Sequence, residues 1–277
     1  MVTRVRLDGM TFVITGAAQG IGAATARKAA ARGANIVLAD LDDDAGEQTA
    51  ADLAAAGGKA RYQHCDVTDA DQVRELMRAA DEAYGGIDVL HNNAGIHETM
   101  LGVPLSIEEM PLDAWDRVIA VNLRGPWLCA KFAVPYLKRS RRGPSIINAG
   151  STGAWVGGMS SLAYGPSKGG IALLTKNLAV ELAPYGIRVN CYCPSATETR
   201  MVEDYLAAGD DREARVRTLT RTQLVSRIGQ PDDIANLVCF LASAESAYVN
   251  GVVWLIDGGS LAWRGVVDAL PLQNGAE

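Results

Sequence analysis

Short apolar runs alternate along this chain with longer segments whose apolar positions recur every three or four residues. Met10–Thr15 (MTFVIT) and Asn35–Asp40 (NIVLAD) are almost continuously apolar, and ARYQHCDV, IDVLHNNAG, SIINAG, IRVNCYCP and GVVWLIDGG continue the series. Between them, IGAATARKAAARGA, DDDAGEQTAADLAAAGG, DADQVRELMRAADEAYGG and DDIANLVCFLAS carry helical period and helix-forming composition. Gly33, Gly57 and Gly85 fall where these helices should stop, because glycine accepts the left-handed conformation that closes a helix. Strands without polar alternation are expected to be covered on both faces. The pattern predicts an α/β chain: one Rossmann-like domain over residues 1–277, a doubly wound parallel sheet flanked by helices on both faces. Thr197–Arg227 departs from it, being charged with scattered apolar residues. It reads either as a solvated helical insertion or as a substrate lid, since it follows a strand end directly. The tail Ala262–Glu277 is long enough to reach a neighbouring subunit or simply to fray.

Composition excludes several function classes. Apolar residues make up 48% of the 277 and charged residues 21%, which is a soluble globular profile. The net charge of −6 argues against non-specific binding to nucleic acid or to an anionic membrane surface. MVTRVRLDGM contains no apolar segment of the signal-peptide kind, and no run approaches a membrane span, so the expected location is the cytoplasm. Cys65, Cys129, Cys191, Cys193 and Cys239 form no C-x-x-C pair, and Cys191 and Cys193 would share one strand face as small apolar groups. His64, His91 and His97 show no zinc-site spacing, so no metal is expected.

The first strand runs into TGAAQGIG (Thr15–Gly22) and then into a helix. In that context the glycines read as a phosphate cradle. Gly16 permits the tight turn, Gly20 lets the backbone approach a pyrophosphate, Gly22 allows close helix packing, and the helix N-terminus faces the anion. The second strand ends at Asp40, eighteen residues after Gly22. A carboxylate there can accept hydrogen bonds from both ribose hydroxyls of an adenosine and would repel a 2′-phosphate. Gln19 and Leu41 bring no positive charge, so NAD is favoured over NADP. Asp40 could instead cap the next helix, with Asp42 competing for that task. Asp66 either holds the adenine amino group or caps the helix that begins near Asp69.

Beyond the cradle come NNAG (Asn92–Gly95), VNLRG around Asn122, Ser151, YGPSK (Tyr164–Lys168), RVNCYCPSATET and IDGG. With these motifs in this order, the chain from about Asp8 to Gly259 resembles the classical short-chain dehydrogenase/reductase (SDR) family. The resemblance implies a catalytic tetrad of Asn122, Ser151, Tyr164 and Lys168. It also implies cofactor contacts from Gly16, Gln19, Gly20, Ile21, Gly22, Asp40, Leu41, Asp66, Val67, Asn93, Ala94, Gly95, Tyr164, Lys168, Pro194, Ser195, Thr197 and Thr199. By the resemblance Asn122 holds, at a helix kink, a water linking Lys168 to solvent. From the sequence alone it is an ill-suited residue inside the predicted helix AWDRVIAVNLRG. In the family the helix that starts at YGPSK packs against its twin, so a homotetramer or homodimer is implied. One departure is Pro194–Ser195, where the family has Pro-Gly. If Ser195 must take the glycine's backbone angles, the nicotinamide loop is shifted or stiffened. The segment between NNAG and Trp115 is also a little long, which would reshape the pocket wall near His97 and Met100.

The chemistry follows from the residues as well. Oxidising a secondary alcohol needs a base for the proton and an acceptor for the hydride. A phenol ionises near 10, and bringing it to neutrality takes about 4 kcal/mol of differential stabilisation. Lys168, at i+4 from Tyr164, lies on the same helix face and can supply much of that. Pro166 is tolerated because it falls in the first helical turn. Ser151 follows a strand and can hydrogen-bond the reacting oxygen, or it can serve as a plain turn cap.

Candidates for the substrate pocket are His97, Ser151, Trp155, Met159, Met201 and Tyr205. Aromatic and thioether groups suit an uncharged, moderately large alcohol or ketone, cyclic, terpenoid or steroid-like in type. The alternatives are a 3-oxoacyl reductase, which Asp40 disfavours, and a non-catalytic dinucleotide-binding redox sensor or scaffold.

Overall fold

The computed structural model describes residues 5–207 and 211–267. Seven parallel strands form one sheet in the order β3-β2-β1-β4-β5-β6-β7. They are β1 (Thr11–Thr15), β2 (Asn35–Asp40), β3 (Lys59–His64), β4 (Val89–Asn92), β5 (Ser145–Ala149), β6 (Arg188–Pro194) and β7 (Val253–Ile256). The sheet is the one that the periodicity predicts. Its Rossmann-like order reverses between β1 and β4, and a crevice opens there beyond the strand C-termini.

Successive strand residues point to opposite faces, and both faces are dry. Phe12, Ile14, Ile36 and Leu38 pack under α1 (Gly20–Ala30) and α9 (Pro231–Ala242). Val13, Val37, Leu90, Ile146 and Val189 pack under α3 (Ala70–Tyr84), α5 (Gly125–Leu137) and α6 (Tyr164–Leu182). This two-sided burial explains why the central strands show no polar alternation. β7 differs, since Trp254 and Leu255 remain exposed at the sheet edge.

Two helical segments bear on the crevice. α4 (Leu112–Ile119) runs into α5 through a π-helical turn at Ala120–Arg124, where the wider hydrogen-bond ring is the kink expected at Asn122. The irregular segment after β6 contains α7 (Arg200–Ala207) and α8 (Arg212–Thr220). Among the described residues no helix is long and apolar enough to cross a membrane. The tail is followed to Val267; residues 268–277, the rest of the predicted tail, lie outside the described residues.

Candidate active site

A cavity of ≈ 670 Å³ occupies the crevice at the strand C-termini. Its floor is the turn between β1 and α1. Gly16 and Gly20 have φ of 63° and 56°, in the region that favours glycine. A Cβ on Gly16 would stand 2.7 Å from Ala94 Cα. One on Gly22 would overlap the Gly16 carbonyl oxygen and lie 2.8 Å from Ala17 Cα. Asn93 ties the turn down, its Nδ2 donating to Thr15 O at 3.1 Å and Gly16 O at 2.8 Å. No side chain caps α1, so its first N–H groups are left to face the cavity.

Asp40 lines the cavity and is not a helix cap. Its Oδ2 accepts from Ala18 N at 2.9 Å and its Oδ1 from Leu41 N at 2.8 Å, while Asp42 caps α2 (Asp43–Ala55) through Ala45 N. Asp69 likewise caps α3, leaving Asp66 on the cavity wall beside Val67, with Thr68 N and Oγ1 donating to Asp66 Oδ1. Ile21, Leu41, Gln19, Ala94, Gly95, Pro194, Ser195, Thr197 and Thr199 also line it. Gly22 lies behind the turn, where it sets the packing of α1. A backbone cradle that side chains would fill, a helix N-terminus and a carboxylate at the end of β2 together fit a dinucleotide.

Of the four residues predicted as a tetrad, Ser151, Tyr164 and Lys168 line the other end of the cavity, and Asn122 is buried beside them. Ser151 Oγ accepts from Gly153 N at 3.1 Å, and Lys168 Nζ lies 5.4 Å from the Tyr164 ring centroid while donating to Ala149 O at 2.8 Å. Burial pushes the phenol above its ordinary value, the neighbouring Ser151 hydroxyl pulls it down, and charge on Cys193 or Glu98 would push it up. Burial pulls the Lys168 ammonium down to about 8. Asn122 clamps the neighbouring backbone: its Nδ2 donates to Ile96 O at 2.8 Å and to Ser167 Oγ at 3.1 Å, and its Oδ1 accepts from Ile96 N at 2.9 Å.

A family model described as enoyl-(acyl carrier protein) reductase matches residues 16–260. The chain belongs to the short-chain dehydrogenase/reductase family. This SDR is 39% identical over 261 residues to (+)-borneol dehydrogenase 1 of Salvia officinalis, covering 92% of this chain and 94% of that one. It is 39% identical over 255 residues to the 3-oxoacyl-(acyl-carrier-protein) reductase FabG of Thermotoga maritima, covering 92% and 99%. A crystal structure of a dehydrogenase/reductase from Sinorhizobium meliloti 1021 matches with a TM-score of 0.81 at 34% identity, covering 92% and 96%. This SDR is an oxidoreductase, and its relatives bind nicotinamide dinucleotides.

The predicted substrate residues of the SDR divide. His97, Ser151 and Met201 line the cavity. Trp155 sits half-exposed over a separate shallow depression, Met159 is almost wholly exposed, and Tyr205 lies under the Arg215 guanidinium at 4.8 Å. None of these three lines the cavity: Trp155 and Met159 follow a chain that turns outward through a 3-10 turn at Thr152–Ala154, and Tyr205, on α7, packs against Arg215 instead. Met100, from the long segment after NNAG, lines the wall that this segment is expected to reshape, and two residues not foreseen join it, Val202 from α7 and Leu219 from α8. Apolar spacing in α7 offers a signal for Val202; nothing in the spacing of α8 marks Leu219. Ser195 needs no glycine angles, since among described non-glycine residues only Ser160 has a positive φ. Its hydroxyl instead accepts from Gln223 Nε2 at 2.8 Å.

Proposed function

We propose that this SDR interconverts a secondary alcohol and a ketone with NAD(H), Tyr164 moving the proton. The arrangement carrying this reading is Tyr164 on the cavity wall with the Ser151 hydroxyl and the Lys168 ammonium beside it. In alcohol oxidation Tyr164 Oη takes the hydroxyl proton, and Lys168 offsets the phenolate charge. Ser151 Oγ holds the same substrate oxygen as its charge develops. In ketone reduction the neutral phenol, which burial favours, returns the proton. The nicotinamide, when bound, accepts or supplies the hydride. Asp40, with uncharged Gln19 and Leu41 beside it, supports NAD over NADP.

His97, Met100, Met201, Val202 and Leu219 make an apolar stretch of a cavity that Arg117 and Arg200 also line, and that stretch suits an uncharged, moderately large, cyclic or terpenoid-like substrate. α7 and α8, over the cavity, serve as its lid. Exposed Trp127 on α5 and Leu173 and Val180 on α6 support packing against further copies as a homodimer or homotetramer, in the cytoplasm.

The test is a panel of cyclic and bicyclic secondary alcohols, their ketones and 3-oxoacyl thioesters, each with NAD(H) and NADP(H). Turnover of cyclic substrates with NAD(H) is expected, and Tyr164→Phe is expected to lower kcat by about 10²-fold or more. Activity confined to NADP(H), or to 3-oxoacyl thioesters, would overturn the cofactor or substrate assignment. A Tyr164→Phe variant at the wild-type rate would remove the base.

A further inference from the structure

Tyr164 is the first residue of α6, and the first N–H groups of a helix have no acceptor within it. Ala163, at the cap position, has no side-chain acceptor, and its φ of −100° and ψ of −43° are helical where a capping residue is normally extended. The acceptor comes from 65 residues earlier in the chain. Glu98 Oε1 accepts from Ala163 N at 2.9 Å, and Glu98 Oε2 accepts from Tyr164 N at 3.2 Å. Glu98 is completely buried. A carboxylate in that position is costly unless hydrogen bonds and nearby charge compensate it. Its neighbour His97 has Nδ1 3.6 Å from Glu98 Oε2, and the His97 ring lies on the Tyr164 ring with centroids 4.6 Å apart. Glu98 therefore holds Tyr164 from below through the backbone, while His97 holds it from the side through the ring.

We propose that Glu98 is a positioning residue for Tyr164. Its carboxylate fixes the first turn of α6 against the 3-10 turn at Glu98–Leu101, so that the phenol keeps its direction across the cavity. The same contact brings a carboxylate to the backbone of the residue whose phenol must become an anion, and charge there would oppose that ionisation. This inference rests on Tyr164 being the acid–base group. Loss of an apolar residue here would only loosen the packing. Loss of this carboxylate would alter both the phenol's aim and its acidity, and the two effects are separable.

The titratable groups around Tyr164 are Lys168 on its own helix, Cys193 and Tyr192 on β6, and His97 and Glu98 on the 3-10 turn. Glu98→Gln keeps a carbonyl acceptor and removes the charge, so Tyr164 should ionise more readily. The midpoint of the pH–rate profile for alcohol oxidation should then move down by about half a pH unit, a threefold change in the acidity constant. A tyrosinate absorbance titration of the full-length protein with NAD, after subtracting the matching Tyr164→Phe protein, should shift the same way without any substrate. Glu98→Ala removes the acceptor as well, and its plateau kcat should fall at least about tenfold, as small misplacements of reacting groups do. If both midpoints stay where the wild type has them, Glu98 is a structural cap and the proposal fails. Should Glu98→Ala not fold, the Glu98→Gln titration decides alone. Tyr164→Phe run in parallel separates the two readings. A fully active Tyr164→Phe defeats the acid–base assignment, whereas an inactive one with unmoved Glu98→Gln midpoints defeats only the role of Glu98.

Discussion

His91 stands in the middle of β4, fully buried, and joins the core to the cofactor turn. Its Nε2 meets Tyr192 Oη at 2.9 Å, and Tyr192 donates onward to Asn93 Oδ1 at 3.2 Å, the same Asn93 that holds Gly16. Because the tyrosine proton is spent on Asn93, Nε2 must be the protonated nitrogen, and Nδ1 is left without a partner. Burial pulls the imidazole down to about 3. The unfolded chain binds this proton near 6.5, so the neutral ring's contribution is complete above that pH and is lost as pH falls toward 3. Between pH 6 and 4 this one proton should cost up to about 1.4 kcal/mol of stability per pH unit. His91→Leu should be less stable at pH 7 and flatter in acid, as read from urea unfolding at successive pH values. An unchanged slope would mean that the imidazole is hydrated or already charged in the folded protein.

Where β1 meets α1, helix propensity and packing make opposite forecasts. Alanine is the better helix former than glycine by about 1 kcal/mol, so Gly22→Ala should stabilise α1 if propensity governed. The added Cβ, however, would meet the Gly16 carbonyl and Ala17 Cα, which are backbone atoms with no rotamer to yield. Overpacking of this kind costs about 1–3 kcal/mol, and the clash should win. Gly22→Ala should therefore lower Tm and weaken NAD binding together, measured by thermal melts and titration calorimetry. The π-helical turn at Ala120–Arg124 makes the same point about local preference. Asparagine is a poor helix interior residue, and its side chain is spent on Ile96 and Ser167, which belong to two other segments.

Behind the cavity, the described part of the C-terminal region braces the segment after α8. The segment leaving α8 is held from behind: Trp263 Nε1 donates to Thr222 O at 2.8 Å, Val225 N to Gly258 O at 2.9 Å, and Val267 N to Arg221 O at 2.6 Å. Gln223 in the same stretch reaches forward to Ser195 on the cavity wall. The tail thus fixes one end of the segment proposed as a lid. Trp263→Ala should raise KM for the alcohol several-fold while leaving the NAD dissociation constant close to wild type, since its hydrogen bond goes to Thr222, which does not line the cavity. Equal loss of both affinities in steady-state and binding measurements would instead point to general destabilisation.

Local order along the chain determined a good deal. Apolar runs without alternation specify strands covered on both sides, and Gly16, Gly20 and Asp40 at their spacings specify a cradle and a carboxylate at neighbouring strand ends. These features rest on the backbone conformations that neighbouring residues allow, so they are legible one segment at a time. Pairings across many residues were not. Glu98 under Tyr164, Gln223 on Ser195 and Trp263 behind Thr222 each join segments that no periodicity relates. Trp155 and Met159 turn outward for the same reason: whether a loop side chain faces a cavity depends on how the chain leaves the strand, and local sequence does not record that direction.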